Sequence, residues 1–364
     1  MSRPYATGAI ALLVGLLGPG CETVMQEPEV PPMPVPMPGP LMTFTGYTPD
    51  GGELVEQGWA PASTSNRDLI IQVLPKLSAY GFRRYVTPCY MGIARSEEDA
   101  AAYFAPILDA AKQANVKFVP GLWLHHLIQN VYGAAAGPPW NVTMNPEVNH
   151  HPKLLEGLLD QKFWDELVTR SRILARGAKS DEVYFDAEEI FWKRRYSSKF
   201  WTPENLAAIR PMLRDAVTRL HAEGIFLIFY HPYCSPWVPE LRAIANALFQ
   251  PENENDELAN VEHFGTDPYY FKASWIPAEP DFVDQFYTDN RYFAERQVRF
   301  GFISSHAVYP AQGLYGFTPR QFHDYLQAHS GVSARTWYVS NHTMLSQHAA
   351  EFASIAASEN FPGG

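Results

Sequence analysis

Eight strand-like segments alternate with eight helix-like segments along residues 41–364, and this alternation limits the possible folds more than any other feature. The segment Ile225–His231 is almost wholly apolar, as expected for a strand buried on both faces of a parallel sheet. Repeated strand–helix units build parallel sheets, and eight units predict a closed (β/α)8 barrel, the TIM-barrel form of an α/β fold. The predicted strands are Leu41–Tyr47, Phe82–Tyr90, Val116–Leu124, Asp181–Glu189, Ile225–His231, Asn260–Asp267, Val298–His306 and Arg335–Asn341. The predicted helices are Arg67–Tyr80, Ser96–Asn115, Asp160–Ala175, Thr202–Glu223, Val238–Phe249, Phe282–Glu295, Thr318–His329 and Leu345–Ala357.

The residues before this region have the pattern of an export signal. Residues 1–20 contain Arg3, an apolar run at residues 9–17 and small residues at the end. The run is shorter than the ~20 apolar residues that a transmembrane helix needs. Cys21 follows at once and resembles the lipid-bearing cysteine of bacterial lipoprotein signals, which implies a lipid anchor at this residue.

Residues 21–40 are predicted to form a linker between the anchor and the barrel. Half of residues 27–40 are proline, which favours an extended polyproline II segment and prevents packing as a domain. We therefore expect a signal peptide in residues 1–20, a lipidated tether in residues 21–40 and a barrel domain in residues 41–364. The expected location is the cell envelope, through the membrane anchor, or the secreted fraction.

Composition narrows the class of partner. The net charge of −11 disfavours nucleic acid. The chain has 9 Trp and 19 Tyr, whose faces can stack on sugar rings once core packing is satisfied. A neutral or polar saccharide is therefore the expected ligand, and the sequence predicts no cofactor and no metal ligand set.

The fourth predicted strand, Asp181–Glu189, carries the most informative pattern. Side chains alternate between the two faces of a strand, so Tyr184, Asp186 and Glu188 share one face. The other face carries only apolar side chains, which are Val183, Phe185 and Ala187. In a barrel the apolar face packs on the outer helices, and the carboxylates then point into the barrel mouth.

Polar and aromatic residues also follow the other predicted strands. In barrels of this kind the active site lies at the carboxyl ends of the strands. The candidate substrate-binding residues at these ends, together with Tyr184, are Trp123, His125, His231, Tyr233, Tyr269, His306, Trp337 and Asn341. Asp267, at the end of the sixth strand, adds a further carboxylate to the candidate catalytic group. After the third strand, a segment rich in Gly, Pro, Asn and His predicts a long loop up to about Pro152, and loops of that length usually bind or cover a ligand.

The pair of carboxylates suits hydrolysis of a glycosidic bond. That reaction needs a carboxylic acid that stays protonated beside the leaving oxygen. A neighbouring carboxylate raises the pKa of such an acid, as does burial. Asp186 and Glu188 are spaced for this interaction, so we expect them to be catalytic.

The motif Asp181-x-x-Tyr184-x-Asp186-x-Glu188 resembles the D-x-x-D-x-D-x-E motif of family 18 glycoside hydrolases, the chitinase-like barrels. The resemblance implies that Glu188 is the general acid/base and that Asp186 assists by orienting an N-acetyl group of the substrate. Asp267 and Trp337 occupy places comparable to an aspartate and a tryptophan of that family. Tyr184 stands where the family has an aspartate, so the sequence predicts a glycosidase without assigning chitin as its substrate.

Three alternatives stay open. An inverting mechanism would use Asp267 as base, facing Glu188 across a gap of ~6.5–9.5 Å. A metal-dependent barrel hydrolase is raised by the 12 histidines, although no His-x-His pair ends a strand. An inactive carbohydrate-binding barrel is raised by the altered motif at Tyr184.

Overall fold

A computed structural model describes thirteen stretches and isolated positions of the chain. The predicted signal and tether, residues 1–40, lie outside them. The described residues are 42–45, 64–87, 96–132, 156–186, 200–230, 244, 247–253, 255–264, 300–301, 303–304, 318–330, 336–338 and 346–359.

The described strands form two five-stranded sheets in which every pairing is parallel. One sheet has the order β3-β2-β1-β10-β9, and the other has the order β4-β5-β6-β7-β8. The strands are β1 (Thr43–Thr45), β2 (Arg84–Val86), β3 (Lys117–Val119), β4 (Gly121–Trp123), β5 (Glu182–Asp186), β6 (Phe226–Tyr230), β7 (Glu262–Phe264), β8 (Phe300–Gly301), β9 (Ile303–Ser304) and β10 (Thr336–Tyr338).

The two sheets are joined twice by the chain itself. Pro120 alone separates β3 from β4, and a single residue separates β8 from β9. The third predicted strand is thus two short strands that pair with different neighbours, because proline has no N–H for a ladder bond. The carbonyl of Pro120 still accepts a hydrogen bond from the Tyr184 N–H, at 2.9 Å. Each of the two links therefore carries one edge of the first sheet into an edge of the second.

Helices follow the strands in the expected order. They are α1 (Thr64–Ala79), α2 (Glu97–Ala114), α3 (Leu124–Tyr132), α4 (Gln161–Gly177), α5 (Pro203–His221), α6 (Pro319–Ser330) and α7 (Ala349–Ser358). Short 3-10 helices occupy Gly157–Leu159 and Glu257–Asn260. The predicted helix at residues 282–295 lies outside the described residues. None of the described helices is both long and apolar enough to span a bilayer.

Capping side chains explain where several helices begin. Ser96 accepts a hydrogen bond from the Asp99 N–H, and Thr202 accepts one from the Asn205 N–H, each at 3.2 Å. These bonds satisfy amides that have no partner inside the helix. The predicted starts of α2 and α5 are therefore confirmed.

One helix corrects the sequence interpretation. The sequence predicts a long loop after the third strand, yet α3 begins at Leu124, directly after β4. His125 and His126 are consequently helical residues near the start of α3, and not residues of a strand or loop. The helix is short and ends at Tyr132, and residues 133–155 lie outside the described residues.

The apolar core lies between the sheets and the helices. Val183 and Phe185 of β5 are fully buried there, as the sequence predicted. The Phe185 ring lies 5.2 Å from the Phe229 ring of β6 and 6.5 Å from the Phe163 ring of α4. Each buried aromatic side chain of this size contributes about 2–3 kcal/mol through removal of apolar surface from water.

A second layer of contacts crosses the interior between the sheets. Arg84 begins β2 in one sheet, whereas Glu182 and Glu262 begin β5 and β7 in the other. The Arg84 guanidinium donates to both oxygens of Glu262 at 2.6 and 2.7 Å, and its Nη1 lies 3.4 Å from the Glu182 carboxylate. All three residues are buried. The two sheets therefore face each other across this group of charges, which we call the ion layer.

The last helix packs against the first strand–helix unit. Gly81, in the turn between α1 and β2, has a φ of +89°. A Cβ at this position would overlap the Cβ of Ala356 in α7. Beside it, the Phe82 and Phe352 rings are 5.1 Å apart. Glycine at this position thus serves both the turn and the close approach of α7.

Replacing Gly81 with Ala should destabilise the protein by about 2–4 kcal/mol, from backbone strain and overpacking together. Gly224 is a matched control, because its φ is +72° but a Cβ added there would have no atom within 4 Å. Gly224→Ala should cost only the strain, about 1 kcal/mol. Urea unfolding followed by circular dichroism measures both, and equal losses would contradict the packing role of Gly81.

Candidate functional site

Asp186 occupies the carboxyl end of β5, an interior strand of the second sheet. Only 3% of its surface is exposed. Its register partners are Trp123 at the end of β4 and Tyr230 at the end of β6. Register partners on paired strands lie about 5 Å apart, so these three backbone positions form one row. A carboxylate is thus placed between two aromatic positions where the sequence predicted the barrel mouth.

The inward face of β5 is polar along its whole length. Val183 and Phe185 belong to the core beneath the helices, whereas Tyr184 is buried but lies outside that core. The predicted alternation is therefore confirmed for the described part of the strand. Glu182, Tyr184 and Asp186 follow one another along this face, from the ion layer to the strand end.

Of the other predicted site residues, some lie in described helices or strands and the rest lie outside the described part of the chain. His125 is the second residue of α3, and Trp337 lies in β10, in register with Phe44 and Ser304. The structure places neither next to Asp186 in the strand register. The predicted residues outside the described part of the chain are Glu188, His231, Tyr233, Asp267, Tyr269, His306 and Asn341, together with Cys21.

Helix α3 forms part of the wall at this end of the sheet. It starts one residue after Trp123, so the positive end of its dipole lies at the same edge as Asp186. Two contacts hold it to α4: Asn130 donates to Glu166, and the Tyr132 hydroxyl donates to Asp160, each at 2.9 Å. Burial, together with the hydrogen bond to Asp160, raises the pKa of Tyr132 above its ordinary value. The phenol therefore keeps its proton, and can keep donating to Asp160, at neutral pH and well above it.

The ion layer lies below this site and was missed from the sequence. Burial by itself would lower the pKa of Arg84, but Glu262 and Glu182 outweigh it and raise the pKa. Burial would likewise raise the pKa of Glu182, but Arg84 and Lys117 outweigh it and lower the pKa. Lys117 contacts the same carboxylate at 3.0 Å. Arg84 and Glu182 are thus both charged at neutral pH. The available signal was a charged residue at the start of each of the three strands β2, β5 and β7.

The described residues contain no group of three His, Cys, Asp or Glu side chains arranged to hold a metal ion. Three histidines fall in predicted strands. His263 lies within β7, and His231 and His306 lie outside the described residues. Metal analysis of the purified protein is therefore the test for a metal-dependent reaction.

Comparison with known proteins gives likeness of fold and no family. No family model matches the sequence, and no curated protein matches it either. An O-GlcNAc hydrolase mutant from Thermobaculum terrenum is similar in structure, with a TM-score of 0.52 and 9% identity. The match covers 90% of this chain and 61% of that chain, so this chain spans less than two thirds of that protein.

Two further solved structures are more distant. A β-mannanase from the blue mussel Mytilus edulis has a TM-score of 0.47 and 8% identity, covering 90% of this chain and 94% of that chain. A putative sugar phosphate isomerase/epimerase from Anabaena variabilis has a TM-score of 0.47 and 11% identity, covering 85% and 87%. The likeness to the O-GlcNAc hydrolase shows a shared fold and leaves the chemistry to the site residues.

Stability should fall in acid because of Glu182. Its folded-state pKa is lowered, so its contribution is complete above its ordinary pKa of 4.5 and is lost as the pH falls through the folded value. Glu182→Gln should cost about 2 kcal/mol at pH 7 and should lose less stability on acidification than the wild type. Urea unfolding between pH 3 and 7 measures this.

The same replacement at Glu252 provides the control. Its side chain is 59% exposed and pairs with Arg214 at the surface. Exposed pairs contribute little, so Glu252→Gln should follow the wild-type profile. A Glu182→Gln profile parallel to that of the wild type would show that Glu182 is not the acid-sensitive group.

Proposed function

We propose that the protein is a glycoside hydrolase that cleaves a glycosidic bond by carboxylate general acid/base catalysis. The observation that carries this proposal is the burial of Asp186 at the carboxyl end of β5, between the aromatic positions Trp123 and Tyr230. Aromatic residues stack on sugar rings, and carboxylates protonate or orient the scissile bond. The substrate proposed is an oligo- or polysaccharide.

The proposed architecture is a complete (β/α)8 barrel. The two chain links between the sheets and the ion layer across the interior both support closure. Arg84, Glu182 and Glu262 come from the second, fourth and sixth strands when each linked pair counts as one strand. Alternate strands contribute the residues of one interior layer in barrels of this kind. The likeness in fold to the O-GlcNAc hydrolase is consistent with this architecture.

The proposed roles follow from the strand pattern. Alternation along the sequence predicts Glu188 on the same face as Asp186, and we assign it the transfer of a proton to the glycosidic oxygen as the C–O bond breaks. Asp186 is proposed as the assisting carboxylate, because a charged neighbour raises the pKa of an acid and keeps it protonated. The sugar carbon is then attacked either by a substrate N-acetyl group that Asp186 orients, or by a water molecule that Asp267 deprotonates. Water supplies the hydroxyl and proton of the products.

Replacing Glu188 with Gln should lower turnover by about 10²–10⁴-fold, because an amide cannot transfer the proton, while glycan binding persists. Release of reducing ends from a polysaccharide panel measures turnover, and calorimetry measures binding. Glu189→Gln is the matched control, since alternation directs Glu189 to the opposite face, and it should leave turnover unchanged.

Three results would contradict this assignment. Wild-type turnover in Glu188→Gln would remove Glu188 from the acid role. Glycan binding without cleavage by the wild-type protein would indicate a carbohydrate-binding barrel instead. Stoichiometric zinc in the purified protein, with activity lost on chelation, would indicate a metal-dependent hydrolase.

We also propose that Cys21 carries a lipid that anchors the protein to the cell envelope, with residues 21–40 as the tether. The support is the order of charged, apolar and small residues before Cys21. In an expressing bacterium, Cys21→Ser should move the protein from the membrane fraction to the soluble fraction. Fractionation followed by immunoblotting measures the shift, and an unchanged membrane fraction would exclude Cys21 as the anchor point.

A further inference from the structure

Arg84 is the one described side chain that binds two non-adjacent strands of the opposite sheet at once. Its Nη1 lies 2.7 Å from Glu262 Oε2 and 3.4 Å from both oxygens of Glu182. Its Nη2 lies 2.6 Å from Glu262 Oε1, and its Nε donates to the Thr43 hydroxyl at 2.7 Å. The guanidinium thus touches β1, β5 and β7 from its place on β2.

This arrangement specifies the register of the strands, which apolar packing cannot do. Side chains repeat every two residues along a strand, so a slip of two residues keeps the same side chains facing inward. That slip moves the strand by about 7 Å along its axis. An apolar interior would tolerate it, because one apolar residue replaces another. The ion layer would not tolerate this slip, because Tyr184 would take the place of Glu182 opposite Arg84 and the Glu182 carboxylate would lose its partner.

The charges are well suited to this role because they are buried. Breaking one buried charged pair leaves the other charge without a partner and away from water, which is strongly unfavourable. Lys117 adds a second cation to Glu182 at 3.0 Å, from the neighbouring β3. The position of β5 along its own axis is thus set by two cations from two strands, both in the first sheet.

We infer that Arg84 is a positioning residue for the candidate site. It fixes the position of β5 along the strand axis, and with it the position of Asp186, relative to the flanking strands. Asp186 lies on the same strand face as Glu182, four residues further along, which is about 13 Å. The strand between them is hydrogen-bonded to a neighbour on both sides and is rigid. A shift of one end along the strand axis therefore shifts the other end by the same distance. The part of this inference that concerns turnover rests on the proposed glycosidase activity.

The test replaces the ion layer with apolar side chains of similar size. The apolar-layer variant carries Arg84→Met, Glu182→Leu and Glu262→Leu together, since apolar replacement of all the partners in a buried ionic group often preserves folding. A second variant, Arg84→Lys, keeps the charge but cannot bind two carboxylates in the same geometry. The control removes an exposed ionic group of α4 and α5, which contains one arginine and two aspartates, with Asp165→Leu, Asp215→Leu and Arg219→Met together.

The first readout is the strand register, from a crystal structure of each variant. The apolar-layer variant should fold cooperatively, with Asp186 displaced from its pairing with Trp123 and Tyr230. The second readout is turnover: kcat should fall at least about a hundredfold, because misplacement by about 1 Å can already cost that much and a slip of two residues is several times larger. KM should change much less than kcat, Arg84→Lys should be intermediate, and the control should match the wild type.

The native register with wild-type kcat in the apolar-layer variant would overturn the inference. If that variant does not fold, Arg84→Lys decides: unchanged register and kcat overturn the inference, and a lowered kcat with native unfolding behaviour supports it. A wild-type protein that cleaves no glycan would refute the proposed function alone, because the register readout would still test Arg84.

Discussion

The alignment of the two sheets depends on a guanidinium held between two carboxylates inside the molecule. Arg84 from one sheet meets Glu182 and Glu262 from the other, and desolvation of all three is offset only while they stay together. Everything around this group is apolar core or parallel ladder, which resists compression but specifies position weakly. Charge therefore supplies the specificity and apolar burial supplies most of the stability.

The two ends of the strands have different tasks. At their amino ends the charges are paired, buried and chemically inert, since Arg84 keeps its proton and Glu182 stays ionised. At the carboxyl end of β5, Asp186 is a buried carboxylate beside aromatic positions and the start of α3. Parallel barrels commonly have a stabilising end and a reactive end, and under the proposed function β5 contributes to both.

The sequence predicted most elements because local signals marked them. Ser96 and Thr202 start helices through their own side chains, and the alternation of Val183 and Phe185 with polar residues set the faces of β5. It did not predict α3, whose residues follow a strand without a break, or the split at Pro120, which depends on which strands lie on each side. The ion layer was missed because its two carboxylates are 98 and 178 residues from Arg84 and meet it only in the folded chain.

The packing of α7 on the turn at Gly81 has a consequence for how the chain folds. The first strand–helix unit completes its core with Phe352, which is contributed by the last helix. Contacts between residues so far apart in sequence form late and slow the search for the native state. A growing chain therefore cannot complete this core until Phe352 has been synthesised, and until then the apolar face around Phe82 is available to chaperones and to aggregation.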